Sequence, residues 1–133
     1  MIGNQGEIFL DMVKINNKKE VKKLIQKNGF LTYYSDILGQ NSLHWCAKRN
    51  YINLTKIIIQ KMPIIDLKDN DHRTALFIAA QHNNFEIVKV QLIKLLLLSK
   101  ANKNIKNKAG LLPFDITNSE SCKILLRPCS KGL

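Results

Sequence analysis

Residues 41–50 read NSLHWCAKRN. The stretch holds the one tryptophan of the chain, one of its three histidines and one of its three cysteines. A histidine beside a cysteine suggests two kinds of chemistry. A thiol with a base in hydrogen-bond reach is a nucleophile, and His with Cys can ligate zinc. Neither is completed here. Side chains two positions apart on a helix point to different sides, so His44 does not serve Cys46. His72 and His82 stand elsewhere, with no HExxH and no zinc-type His/Cys spacing. Asp66, Asp69 and Asp71 cluster, but beside Lys68 and Arg73 they read as solvated turn carboxylates. There is no glycine-rich phosphate loop. The expectation is no catalytic residue, no metal ligand and no cofactor in this chain.

The elements that must position these residues are set by size and pattern. The chain has 133 residues, about one domain, and 45% of them are hydrophobic, which suffices for a packed core. The formal net charge is +11, carried mostly by lysine. That balance favours acidic proteins, nucleic acid or an anionic membrane face as partners. The chain is also rich in Asn and Ile, so part of the charge reads as drift toward AT-rich codons. Cys46, Cys122 and Cys129 are odd in number and form no CxxC, which suits a reducing interior. The start, MIGNQGEIFLDMVK, lacks the basic-then-apolar order of a signal peptide. The most apolar window, residues 90–100, is broken by Gln91 and Lys94 and is shorter than the about 20 residues a membrane span needs. An intracellular, cytoplasmic, monomeric protein is expected.

The chain repeats itself. NSLHWCAKRNY falls on TALFIAAQHNN, an offset of 33 residues from Asn41 to Thr74. IIIQKMPIIDLKD falls in the same way on LLLLSKANKNIKN. A further copy starts at LLPFDIT, but Thr74 to Leu112 is 38 residues, so the third unit carries an insertion, most simply VQLIK at 90–94. Residues 7–29 have the same layout of two helices about Asn16-Asn17. Asn41 and Thr74 are N-cap types, Cys46-Ala47 and Ala79-Ala80 are small enough for close helix approach, and Asn50 and Asn83-Asn84 suit tight turns. The second helices carry apolar residues at helical spacing: Val21, Leu24 and Ile25, then Leu54, Ile57 and Ile58, then Ile87 and Val88. No pair could bury both faces alone, whereas stacked copies can.

The period and the starts NSLHWCA, TALFIAA and LLPFDIT resemble the TPLHxAA-like openings of ankyrin repeats, and DLKDNDHRTAL resembles the link between two such repeats. The resemblance spans roughly residues 7–127 and implies an all-α, ankyrin-type helix–turn–helix solenoid with short hairpin links. The expected units are about 7–36, 37–69, 70–107 and 108–127, in one domain over 1–133 with a short tail at 128–133. Three departures stand out. His72 replaces the turn glycine kept as Gly39 and Gly110, Met62 replaces a glycine after a second helix, and the third unit's second helix should be about a turn longer. The abrupt tail suggests a chain cut from a larger protein.

The resemblance also assigns roles. It gives His44 a backbone hydrogen bond between repeats and makes Cys46 a small buried residue. It turns Trp45, with Ile78 and Ile116 as equivalents, onto the concave face that the family uses for partners. Arg49 should share that face one turn on, with His82 as its counterpart, and Tyr33, Tyr34, Asn70 and Arg73 should flank it. The implied function is a non-catalytic module that binds a peptide or acidic protein through these eight residues. The lysine run KKEVKK should lie on the convex side as a solvated face. It has no aromatic residues interleaved, so nucleic acid is a poor fit. Two alternatives remain: electrostatic binding to nucleic acid or anionic lipid, and the recruiting part of a membrane-bound DHHC-type palmitoyltransferase, where LHWA resembles LHWCA here.

Overall fold

The computed structural model describes residues 4–82 and 85–128. Eight α-helices follow one another among them. They are α1 (Gln5–Lys14), α2 (Lys18–Lys27), α3 (Ser42–Arg49), α4 (Ile52–Ile59), α5 (Ala75–Gln81), α6 (Glu86–Leu98), α7 (Pro113–Ile116) and α8 (Glu120–Leu126). A short 3-10 helix, Gly29–Tyr33, follows α2. No strand occurs among the described residues. The Asn83-Asn84 turn and Cys129 lie outside them.

The helices start where the caps predict. Asn41 Oδ1 accepts from the Leu43 and His44 N–H groups, and Thr74 Oγ1 accepts from the Phe77 N–H. Each side chain satisfies donors that the first helical turn leaves unpaired. Asn16 and Asn50 take φ of 60° and 59°, the left-handed conformation that turns the first helix of a pair into the second.

The helices form two layers. First helices stack on first helices, α1 on α3, α3 on α5 and α5 on α7. Second helices back them, α2 on α4, α4 on α6 and α6 on α8. Small residues allow this. Cys46, Ala47, Ala79 and Ala80 are fully buried in the first layer, and Leu54, Ile58, Leu92, Ile93 and Leu96 fill the space between layers. Met62, where a glycine was expected, is completely buried and contributes its side chain to that filling. The lengthened second helix is present: α6 has 13 residues against 8 in α4.

Between pairs, one turn recurs three times. Asp36 Oδ1 accepts from the Leu38 and Gln40 N–H groups. Asp69 Oδ1 accepts from Asp71 and Arg73 N–H, and Asn107 Oδ1 from Ala109 and Leu111 N–H. In each, the third residue after the acceptor has positive φ: Gly39 at 74°, His72 at 60° and Gly110 at 79°. Successive turns are tied, since Asn70 N–H donates to the Leu38 carbonyl and Lys108 N–H to that of Asp71.

Candidate partner-binding surface

His44 and Cys46 are structural. The His44 Nδ1 accepts from the Asn41 N–H at 3.1 Å, so the proton sits on Nε2, which donates to the Arg73 carbonyl at 2.8 Å. Both ring nitrogens are therefore occupied, one in the helix cap and one across the repeat boundary. Burial keeps the ring below the usual histidine range, as a neutral donor requires. Cys46 is fully buried, and burial pushes its thiol up to about 12, far from a reactive thiolate.

Trp45 stands apart. It is half-buried against the core, and its Nε1 donates to Asp36 Oδ2 at 3.1 Å. That bond fixes the indole against the turn before α3. Three cations lie over the ring: Lys48 Nζ 4.5 Å and Lys14 Nζ 4.6 Å from its centroid, and the Arg49 guanidinium at 5.4 Å. Lys14 comes from the last turn of α1, and Lys48 and Arg49 from that of α3. Each gains roughly 0.5–1 kcal/mol from the ring face. Together they repel, and none forms an ion pair with a carboxylate among the described residues.

The positive field extends into the third unit. His82 is held below the usual range by burial first, then by the charges of Lys48, Arg73 and Lys89. Lys89 reaches this region from α6 with its side chain almost wholly buried. A hydrogen-bonded line connects the units beneath. Lys48 Nζ donates to Gln40 Oε1, Gln40 Nε2 donates to Asp69 Oδ2, and Arg73 Nε and Nη2 hold that same oxygen at 2.9 Å.

The eight residues expected on one face divide. Trp45, Arg49 and His82 share it, and Tyr34 borders it beside Lys14 and Asp36. Ile78 does not: it is 0% exposed, because a branched aliphatic side chain at Trp45's position is covered completely by its neighbours. Tyr33 sits on another surface, where its hydroxyl accepts from the Ile64 N–H at 3.1 Å. Asn70 Nδ2 donates to the Ile37 carbonyl, so its side chain joins two turns rather than facing a partner. Arg73 is tied to Asp69 and to Gln81 Oε1. Asp69, read as a solvated carboxylate, is buried. Burial alone would raise its pKa, but the Arg73 backbone N–H and guanidinium and the Gln40 amide outweigh it and hold the carboxyl below the usual range. Lys14, Lys48, Lys89 and Asp36 were not singled out in the sequence. One signal existed: registering Asn16 on Asn50 sets Lys14 on Lys48.

The profile described as ankyrin repeats, in 3 copies, matches residues 9–107. The chain belongs to the ankyrin-repeat family. Ankyrin repeats are a non-catalytic fold that generally mediates protein–protein interaction. Inversin of Gallus gallus is 28% identical over 113 residues, covering 83% of this chain and 10% of inversin. Inversin of Homo sapiens is 27% identical over the same length, again 10% of that protein. The probable E3 ubiquitin-protein ligase XBOS33 of Oryza sativa subsp. japonica is 25% identical over 89 residues, 66% of this chain and 17% of that protein. The chain thus spans a small part of each relative's length. No helix among the described residues is long and apolar enough to cross a membrane.

Proposed function

We propose that this ankyrin-repeat chain binds an acidic segment of a partner protein on the concave face formed by its first helices, with Trp45 as the anchor. One observation carries the reading: Lys14, Lys48 and Arg49 converge on the Trp45 ring without a carboxylate partner. A carboxylate laid along the ring edge would relieve their mutual repulsion and replace hydration with charge-assisted hydrogen bonds. The indole supplies a large, pre-oriented apolar surface beside them, the combination that dominates interface energetics. The positive field of Lys48 and Arg73 also reaches the half-buried His82 ring in the next unit.

The test uses Trp45 as its own reporter, since it is the single tryptophan. A synthetic peptide of alternating Glu, Asp and Ser is titrated while indole emission is followed. A saturable change is expected, weakened at least about tenfold in a Lys14→Gln/Lys48→Gln variant and by added salt. A flat titration, or one unchanged in that variant, would overturn the reading.

A further inference from the structure

The second-helix layer carries a different surface. A groove of about 530 Å³ opens between the exits of α2 and α4. Its lining is almost wholly apolar: Phe30, Tyr33, Pro63, Ile64 and Leu67, with Lys61 at one end. Phe30 is 81% exposed and Ile64 59%, so two large apolar side chains stand at its rim in solvent. The wall is fixed, because the Ile64 N–H donates to the Tyr33 hydroxyl.

The groove continues into charge. Lys61 also lines an adjoining hollow of about 290 Å³ with Lys22, Gln26 and Gln60. Gln26 passes on into a third, of about 420 Å³, beside Lys23 and Lys27. The five lysines of α2 are exposed, as are Lys56 and Lys61. Against them α2 and α4 offer one carboxylate, Glu20, paired with Lys23 at 3.6 Å. The surface is therefore an apolar recess at one end of a basic track.

We infer that this track is a second docking surface, for an extended acidic peptide that carries an aromatic or aliphatic anchor at one end. The anchor would lie between Phe30, Ile64 and Leu67, and the acidic residues would follow Lys61, Lys22 and Lys23 along α2. The unbalanced positive charge along the track argues for the acidic portion, and the apolar recess for the anchor. A bilayer is the poorer fit, because only Phe30 and Ile64 stand out there as large apolar side chains, and they flank a recess between two loops instead of forming a continuous ridge. A nucleic acid is poorer still, since no aromatic residue interleaves the lysines of α2 for base stacking. The surface is separate from the Trp45 site and stands or falls without it.

The probe is a fluorescein-labelled peptide of Leu-Phe followed by alternating Asp and Glu, read by anisotropy against the whole chain. Measured in a Trp45→Ala background, which removes the anchor of the first surface, binding is expected to persist, to fall at least about tenfold when Leu-Phe is replaced by Ser-Ser, and to fall again when Ile64→Ser or Lys22→Gln/Lys61→Gln is introduced. Ile64, Lys22 and Lys61 are all exposed, and the circular dichroism of each variant confirms the fold. Loss of binding in Trp45→Ala, with Ile64→Ser unaffected, would overturn the second surface and leave only the first. So would failure of the peptide to bind, or binding that ignores the loss of Leu-Phe. Sedimentation with phosphatidylcholine vesicles containing roughly one-fifth phosphatidylserine, but no peptide binding, would assign the lysines to a membrane instead.

Discussion

Helices α3 and α5 occupy equivalent places, 33 residues apart, and share a cap, a pair of small residues and a stack of neighbours on either side. Among their differences, the Trp45/Ile78 position is the one that shapes the surface. Ile78 in α5 is sealed, while Trp45 in α3 emerges from the stack, reaches Asp36 and gathers cations from two helices. A position on the outward side of a repeat is thus not exposed by register alone. Its exposure depends on the size of its side chain against the spacing of the layer. The wider indole cannot be covered, and its polar edge needs a partner, which the preceding turn supplies.

The largest lever on that comparison is the turn joining the two units. Asp69 is buried and holds five donors, so Asp69→Ala should cost about 3 kcal/mol or more by leaving Arg73, Gln40 and two backbone N–H groups without their acceptor. Urea unfolding measures it, and a loss under about 1 kcal/mol would mean the turn does not couple the units. Next, Ile78→Ala should lower stability by roughly 3 kcal/mol, and Trp45→Ala by about half as much, because the indole is only half-buried. Equal losses would erase the distinction between the two helices.

Acid sharpens it further. Burial holds the folded-state pKa values of His44 and His82 below the ordinary histidine value of about 6.5, so the unfolded chain binds protons that the folded chain refuses. Stability should be complete above that value and fall as pH drops below it, until the folded-state pKa values are passed. Thermal unfolding between pH 7.5 and about 5 reads the slope, and His44→Gln should remove that residue's share of it. If the midpoint holds constant over that range, the neutral His44 bridge between units is not what the fold depends on. The smallest effect is His72→Gly. A left-handed non-glycine residue is strained, while glycine adds unfolded-state entropy, leaving a net gain of roughly 0.5 kcal/mol. A loss instead would show that the His72 side chain contributes where Gly39 and Gly110 do not.

The scaffold was readable because its rules are local. Caps, small residues, left-handed asparagines and the apolar spacing of the second helices are each set within a few residues, and the 33-residue register repeats them. The inserted five residues near 90–94 were legible for the same reason, as one extra length in α6. The residues at the surface were only partly readable. Trp45, Arg49 and His82 follow from register, but the burial of Ile78 does not, and neither does the use of Asn70 and Arg73 as struts between turns. Their hydrogen bonds span neighbouring units, and register says which residues are near but not which donors are already taken.

What the sequence determined by itself is the repeat: the helix pairs, their order and their stacking, since each unit's apolar faces have no cover except the next unit. What only the tertiary structure decided is where charge collects. Lys14 belongs to α1, Lys48 and Arg49 to α3, and Lys89 to α6, and they lie far apart in the chain. Stacking brings them around Trp45 and His82, because the distance between charges in space, not in sequence, sets the field that a partner would meet.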